Sequence, residues 1–290
     1  MNDLPLTVLV HDGPMARAYL AALRAAELRP ERILLLVYDR HPSTGKPVGR
    51  FLPGSLRAAY AERVQSRAFF HWPRFLRTTR PKLYAGMVEK IGETLDLSAD
   101  VFEELIGETP LEAFTDRLER LRVSGLKDPA LTEALSGNGP MAVLFTGGGI
   151  LRENLLELPG VRFLHIHPGF LPHVRGADGL LWSSLVRGRP GASCFYMEAG
   201  LDTGALVLAE EFPRITFPRS LTDSLDDAML YRALFSFYDP VLRAKMLTNV
   251  LHAEADPLNL PAEPQDTSVG VTYHFMGPAV RKAALAELFC

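Results

Sequence analysis

Two short apolar runs, residues 6–10 and 33–37, flank one amphipathic stretch, residues 15–28, and this leaves the N-terminal part of the chain few options. The first run ends in His11-Asp12-Gly13-Pro14, so it reads as a buried strand followed by turn chemistry. The stretch after it repeats apolar residues at helical spacing, and the second run again has the length of a buried strand. Strand, helix, strand with short connections begins a parallel sheet covered by helices. The second half of the chain resumes the alternation. Residues 142–145 read as a strand, 150–158 as a helix, 161–167 as a strand, 179–187 as a helix, and 191–197 and 205–210 as strands. Residues 221–251 read as one long helical region with a break before Pro240. The tail is proline-rich from Pro257, then carries an extended run at 269–276 and a short helix up to Phe289. The expected class is α/β: a Rossmann-like, mostly parallel sheet with helices on both faces, a helical insertion and a short C-terminal extension.

Residues 39–138 form the insertion, with amphipathic stretches around 99–106 and 110–121 that read as helices. It either supplies substrate contacts or a lid, or only shields the sheet. The expected division is an α/β domain over 1–251 and an extension over 252–290. A chain of 290 residues, 47% hydrophobic, buries enough surface to need no disulfide or structural metal. Its net charge of −3 gives no electrostatic ground for a broad nucleic-acid footprint. The two cysteines, Cys194 and Cys290, read as free thiols in a reducing compartment. Without a signal-peptide pattern at the start, and with every apolar run far below the ~18 residues of a membrane span, the cytoplasm is expected.

Three glycines, Gly147-Gly148-Gly149, follow a strand, so the backbone there must approach something closely. No dinucleotide fingerprint opens the first strand–helix turn and no phosphate-binding lysine follows, so the glycines alone do not specify a nucleotide. The next strand ends in His165-Ile166-His167-Pro168-Gly169, and strand alternation puts both imidazoles on one face at its carboxyl end, where α/β sheets collect ligands. Downstream, Gly200-Leu201-Asp202-Thr203-Gly204 either caps its own turn or returns a carboxylate toward those histidines.

The stretch Leu164-His165-Ile166-His167-Pro168-Gly169-Phe170-Leu171-Pro172, continued by Arg175-Gly176, resembles a signature of the N10-formyltetrahydrofolate-dependent formyltransferases, written N-x-H-P-S-L-L-P-x-x-R-G. The Gly-Leu-Asp-Thr-Gly loop resembles that family's second signature, whose aspartate completes an Asn-His-Asp constellation. The family includes methionyl-tRNA, glycinamide ribonucleotide and sugar-nucleotide N-formyltransferases and formyltetrahydrofolate hydrolase. The resemblance implies a formyl transferase using N10-formyltetrahydrofolate as co-substrate, with no metal, acting on the amine of a small molecule. It implies catalysis by His165, His167 and Asp202, with His167 polarising the formyl carbonyl and Asp202 orienting it. The pterin is expected against Gly147, Gly148, Gly149, Ile150 and Leu151 and against Met197, Gly200 and Leu201. Pro172, Arg175 and Gly176 are expected at the acceptor. His165 departs from the family's asparagine, whose amide helps hold the oxyanion; an imidazole N–H is the expected substitute donor. The same substitution leaves open a metal site built from His165, His167 and Asp202, a hydrolase, and a folate-binding module without turnover. Nucleic acid and membrane are not expected partners. A homodimer is expected to use the second half of residues 221–251 and the tail.

Overall fold

The computed structural model describes residues 1–137, 139–222, 225–251 and 256–290, the side chain of Ser55 aside; the expected boundary at 252 falls outside the described residues. The chain opens with β1 (Asn2–Val10), α1 (Pro14–Ala25) and β2 (Leu28–Tyr38), as its apolar pattern dictates. Both runs are continuous rather than alternating because both faces of the sheet are covered. Val8 and Val10 point into one apolar layer, while Leu9 points into the other with Leu34, Leu36, Val143 and Phe145.

Four helices follow: α2 (Gly54–Phe69), α3 (His71–Thr79), α4 (Pro81–Leu95) and α5 (Ala99–Glu104). The helix expected over 110–121 is not formed. A short 3₁₀ turn at Leu111–Ala113 leads instead into β3 (Leu118–Val123), which pairs in parallel with β2 along Ile33 to Tyr38. The Leu-x-x-Leu spacing looks helical, but pairing with an open sheet edge overrides so short a pattern. Ion pairs of Glu119 with Arg32 and Arg117, and of Arg120 with Glu62 and Glu112, fit a charged edge strand. The insertion therefore completes the sheet as well as covering it.

After α6 (Pro129–Leu135), β4 (Met141–Phe145), α7 (Glu153–Leu156) and β5 (Val161–His167) continue the parallel block. β6 (Val174–Gly176) and α8 (Gly179–Arg187) precede two antiparallel strands, β7 (Gly191–Tyr196) and β8 (Leu206–Glu211). The sheet order is β3-β2-β1-β4-β5-β7-β8, so connections reverse direction between β1 and β4, and the carboxyl ends there open a crevice. The helix expected over 150–158 shrinks to one turn because residues 147–152 stay irregular, with Gly149 at φ +112°.

The chain does not break at Pro240. Helix α9 (Asp227–Ala233) widens into a π turn at Leu234–Tyr238 and runs on into α10 (Asp239–Val250), where Pro240 sits in the first turn and needs no amide partner. α10 packs on α1 beneath the sheet.

The tail joins the same body. Its strand β9 (Val271–Tyr273) pairs in parallel with β6, helix α11 (Pro278–Leu288) adds Leu285 and Leu288 to the main core, and Phe289 just after it adds its ring. Trp182 stacks on Tyr273 at 4.4 Å, and its indole N–H donates to the His274 carbonyl at 2.9 Å. Among the described residues no helix is long and apolar enough to cross a membrane.

Buried Arg175 ties the tail down. Its guanidinium donates to the carbonyls of Pro172 (2.8 Å) and Val269 (3.0 Å) and to the Thr272 hydroxyl (3.3 Å). Arg175→Leu removes charged donors from buried acceptors, each such bond being worth about 1.5–3 kcal/mol. Thermal unfolding of the variant should show a clear loss of stability, and limited proteolysis should cut the tail between α10 and β9 first.

Candidate active site

Elementary geometry brings the three expected catalytic residues together. β5 ends in His165 and His167, and both line a cavity of about 510 Å³ at the carboxyl ends of the parallel strands. Asp202 reaches the same cavity from the loop between β7 and β8, in the left-handed region at φ +56°. Gly204 makes that loop feasible, since a Cβ there would come within 1.9 Å of the Tyr196 carbonyl. Gln265, from the tail, pins the loop by donating to the carbonyls of Asp202 (3.2 Å) and Gly204 (2.6 Å). The Asp202 carboxylate accepts the Gly176 amide at 2.8 Å and lies 3.6 Å from His167 Nδ1.

Each imidazole is fixed by a backbone carbonyl, and this settles its tautomer. His165 Nδ1 donates to the Phe145 carbonyl at 2.9 Å, and His167 Nε2 donates to the Val174 carbonyl at 2.9 Å. A neutral imidazole carries one N–H, so His165 Nε2 and His167 Nδ1 are left with lone pairs. Gly169 protects the second of these bonds: a Cβ there would lie 2.5 Å from both His167 Nε2 and the Val174 oxygen. Burial, reinforced by Arg243, pushes His165 down to about 4. Burial also lowers His167, with the Asp202 carboxylate pulling the other way and Arg243 adding to the fall. His165 is therefore a hydrogen-bond acceptor at neutral pH, and the oxyanion-donor role expected for it is corrected.

Placement corrects other expectations. Arg175 turns its guanidinium into the tail, and Pro172 is one of its carbonyl partners; neither lines the cavity, whereas Gly176 does. Gly147, Gly148, Gly149 and Ile150 line the main cavity, and their amides donate to no described residue. Leu151, Met197 and Gly200 line a narrow arm of about 70 Å³ that shares Gly149, Ile150, His165, Leu201 and Asp202 with the main cavity. Large apolar side chains stand exposed around the mouth: Ile150 (60%), Leu201 (49%) and Phe275 (78%). Among the described residues no three His, Cys, Asp or Glu side chains are grouped so as to hold a metal ion.

Sequence reasoning missed one wall of the cavity. Phe235, Asp239 and Arg243 line it from the π turn and α10. Asp239 is fully buried and accepts from Arg243 Nε at 2.7 Å and Nη2 at 3.3 Å, while Nη1 donates to the Ile166 carbonyl at 2.8 Å, between the two histidines. The signal was an Asp and an Arg four residues apart on an otherwise apolar helical face.

An α/β crevice with paired imidazoles, a carboxylate and a glycine turn defines a small-molecule site for proton-transfer chemistry. The family model described as formyl transferase matches residues 101–228, which hold the glycine turn, both histidines and Asp202. Over that stretch, less than half of the chain, the sequence is similar to the formyl transferase family. It is 40% identical over 96 residues, 32% of this chain, to the methionyl-tRNA formyltransferase of Syntrophus aciditrophicus (strain SB), and 30% identical over 146 residues, 49% of this chain, to that of Myxococcus xanthus (strain DK1622). These matches cover 30% and 44% of the relatives' own lengths. Among solved structures, a sugar N-formyltransferase from Shewanella sp FDAARGOS_354 aligns over 98% of this chain and 87% of its own, at 14% identity and a TM-score of 0.45. Another, the formyltransferase PseJ from Anoxybacillus kamchatkensis, aligns over 57% of this chain and 78% of its own, at 20% identity and a TM-score of 0.33.

The depressed His165 has a consequence for stability. Its folded value of about 4 lies below the ordinary histidine value of 6.5, so between the two the unfolded chain binds more protons. Stability should fall as pH drops from 6.5 toward 4. His11, stacked on Tyr38 and also lowered to about 4 by burial, acts in the same sense. Melting temperatures measured from pH 7 to pH 4.5 should fall less steeply for His165→Asn than for the parent; parallel curves would show that His165 is not held neutral.

Proposed function

We propose that the protein transfers a formyl group from a reduced-folate donor, N10-formyltetrahydrofolate, to the amine of a small, anionic acceptor. The observation that carries this reading is the His167–Asp202 pair at 3.6 Å, set in one cavity with a turn of unpaired amides, within the stretch that matches the formyl transferase family. The amides of Gly147 to Ile150 suit the hydrogen-bonding edge of a pterin, and the narrow arm lined by Leu151, Phe195 and Met197 suits the edge of a flat ring. The donor supplies the formyl group; the chain's residues orient it and move one proton.

His165 Nε2, an acceptor, takes a hydrogen bond from the incoming amine and keeps the amine's lone pair directed at the formyl carbon. As the new C–N bond forms, His167 Nδ1 accepts the proton that the amine nitrogen must shed. Asp202 stabilises the resulting imidazolium. His167 then returns that proton to the donor nitrogen as its bond to the formyl carbon breaks, so proton and electron pairs balance. In this scheme His167 shuttles a proton rather than polarising the carbonyl.

The acceptor side is read from a second cavity of about 650 Å³, in which Lys46, Arg67, His41 and His71 face Trp72 and Tyr60 and no carboxylate takes part. A further cavity of about 450 Å³ shares His41 with it and Gly148 with the catalytic crevice. Among the described residues the side chains of Lys46 and Arg67 have no partner, which suits a phosphate-bearing metabolite such as a sugar nucleotide. We read the described tail as part of the catalytic unit, since Gln265 pins the Asp202 loop and Phe275 lines the cavity. Two unpaired cysteines, Cys194 buried and Cys290 exposed, fit a reducing, cytoplasmic setting.

Calorimetry with 5-formyltetrahydrofolate should show binding; none at millimolar concentration contradicts the donor assignment. With 10-formyltetrahydrofolate and a panel of amino sugars and their nucleotides, Asp202→Asn and His167→Ala should each lose about 10² to 10⁴ in kcat, the usual worth of acid–base help. Release of formate with no formylated amine would favour a hydrolase, with His165 Nε2 holding a water.

A further inference from the structure

Tautomer locking leaves neither imidazole with an N–H to offer a substrate. Attack on a formyl carbon puts negative charge on its oxygen, and that oxyanion needs N–H groups aimed at it. His165 and His167 have each given their single N–H to a backbone carbonyl. The resembling signature carries an amide side chain at position 165, and this chain has replaced that donor by an acceptor.

We propose that Arg243 is the oxyanion-binding residue of this protein. Its guanidinium carries five N–H groups in a rigid fork. Among the described residues three are engaged: Nε–H and one Nη2–H on Asp239, and one Nη1–H on the Ile166 carbonyl. By that geometry one N–H on each terminal nitrogen remains, and the buried Tyr19 hydroxyl beside the guanidinium is the side-chain group that could engage one of them. The side chain is only 15% exposed and lines the catalytic cavity with His165 and His167. Asp239, with no exposed side-chain surface, fixes the fork from beneath, and the π turn before it brings both residues to this wall. A charged, pre-oriented donor in a half-closed cavity stabilises developing charge without reorganising when it appears. The donor that position 165 does not supply is thus offered from position 243. Arg243 lies beyond the stretch 101–228 that matches the family.

The inference rests on the donor reading above, and its test separates the two. Removing Arg243 alone strands a buried carboxylate, which can unfold a protein by itself. The informative variant is therefore Asp239→Leu/Arg243→Met in the full chain, accompanied by Arg243→Lys. The donor is 10-formyl-5,8-dideazafolate, with hydroxylamine as a surrogate amine; calorimetry reads donor affinity and absorbance reads loss of the formyl group. The double variant should bind the donor within about threefold of the parent and lose about 10² to 10³ in kcat, the cost of one oxyanion donor, with KM little changed. Arg243→Lys should recover part of the rate. Millimolar guanidinium ion should partly rescue an Asp239→Ala/Arg243→Ala variant, which a merely structural role would not allow. A folded, donor-binding double variant that keeps its kcat, or that guanidinium does not rescue, overturns the role of Arg243 alone. A parent protein that fails to bind the donor overturns the folate reading, and this one with it.

Discussion

The site depends on two hydrogen bonds from imidazole to backbone carbonyl. His165 to Phe145 and His167 to Val174 are neutral bonds, each worth only about 1 kcal/mol net. Their importance lies in direction. Each spends the one proton a buried neutral imidazole owns, so the ring nitrogens left for chemistry are acceptors. In the proposed reaction this leaves Asp202 to stabilise a proton arriving at His167 and requires an oxyanion donor elsewhere.

The scaffold makes those bonds affordable by supplying carbonyls from rigid elements. Phe145 ends β4, and Val174 opens β6, which β9 of the tail completes. Gly169 keeps the path between His167 and Val174 clear. Ser193, on β7, donates to the Gly169 carbonyl at 2.8 Å and accepts the Leu171 amide at 2.9 Å, holding the intervening loop against the sheet. On the other side, Arg243 places a fixed positive charge beside both rings and helps burial to keep them neutral. Sheet, tail and helix wall thus act on the same two side chains.

Much of this was legible in the sequence because it is local. Strand β5 and helix α8 fall at the residues their patterns predict, and alternation along β5 suffices to put His165 and His167 on one face. What the sequence concealed depends on pairing at a distance. β3 reads as a helix until β2 offers it an edge, and residues 150–152 read as helical until the glycine turn holds them open. Arg175 reads as a substrate ligand because its signature surrounds the site, yet its partners lie some ninety residues on, at Val269 and Thr272. Arg243 was invisible for the same reason: an Asp and an Arg one turn apart on a helix say nothing of which cavity they meet.

The account turns on which nitrogen of each ring carries the proton. Long-range proton–nitrogen correlation NMR at pH 7, on protein with ¹⁵N-labelled histidine, reads this directly, with His165→Asn and His167→Asn samples to assign the signals. The geometry requires the Nδ1–H tautomer for His165 and the Nε2–H tautomer for His167. Finding His165 protonated on Nε2, or as an imidazolium, would return to it the donor role and remove the need for Arg243.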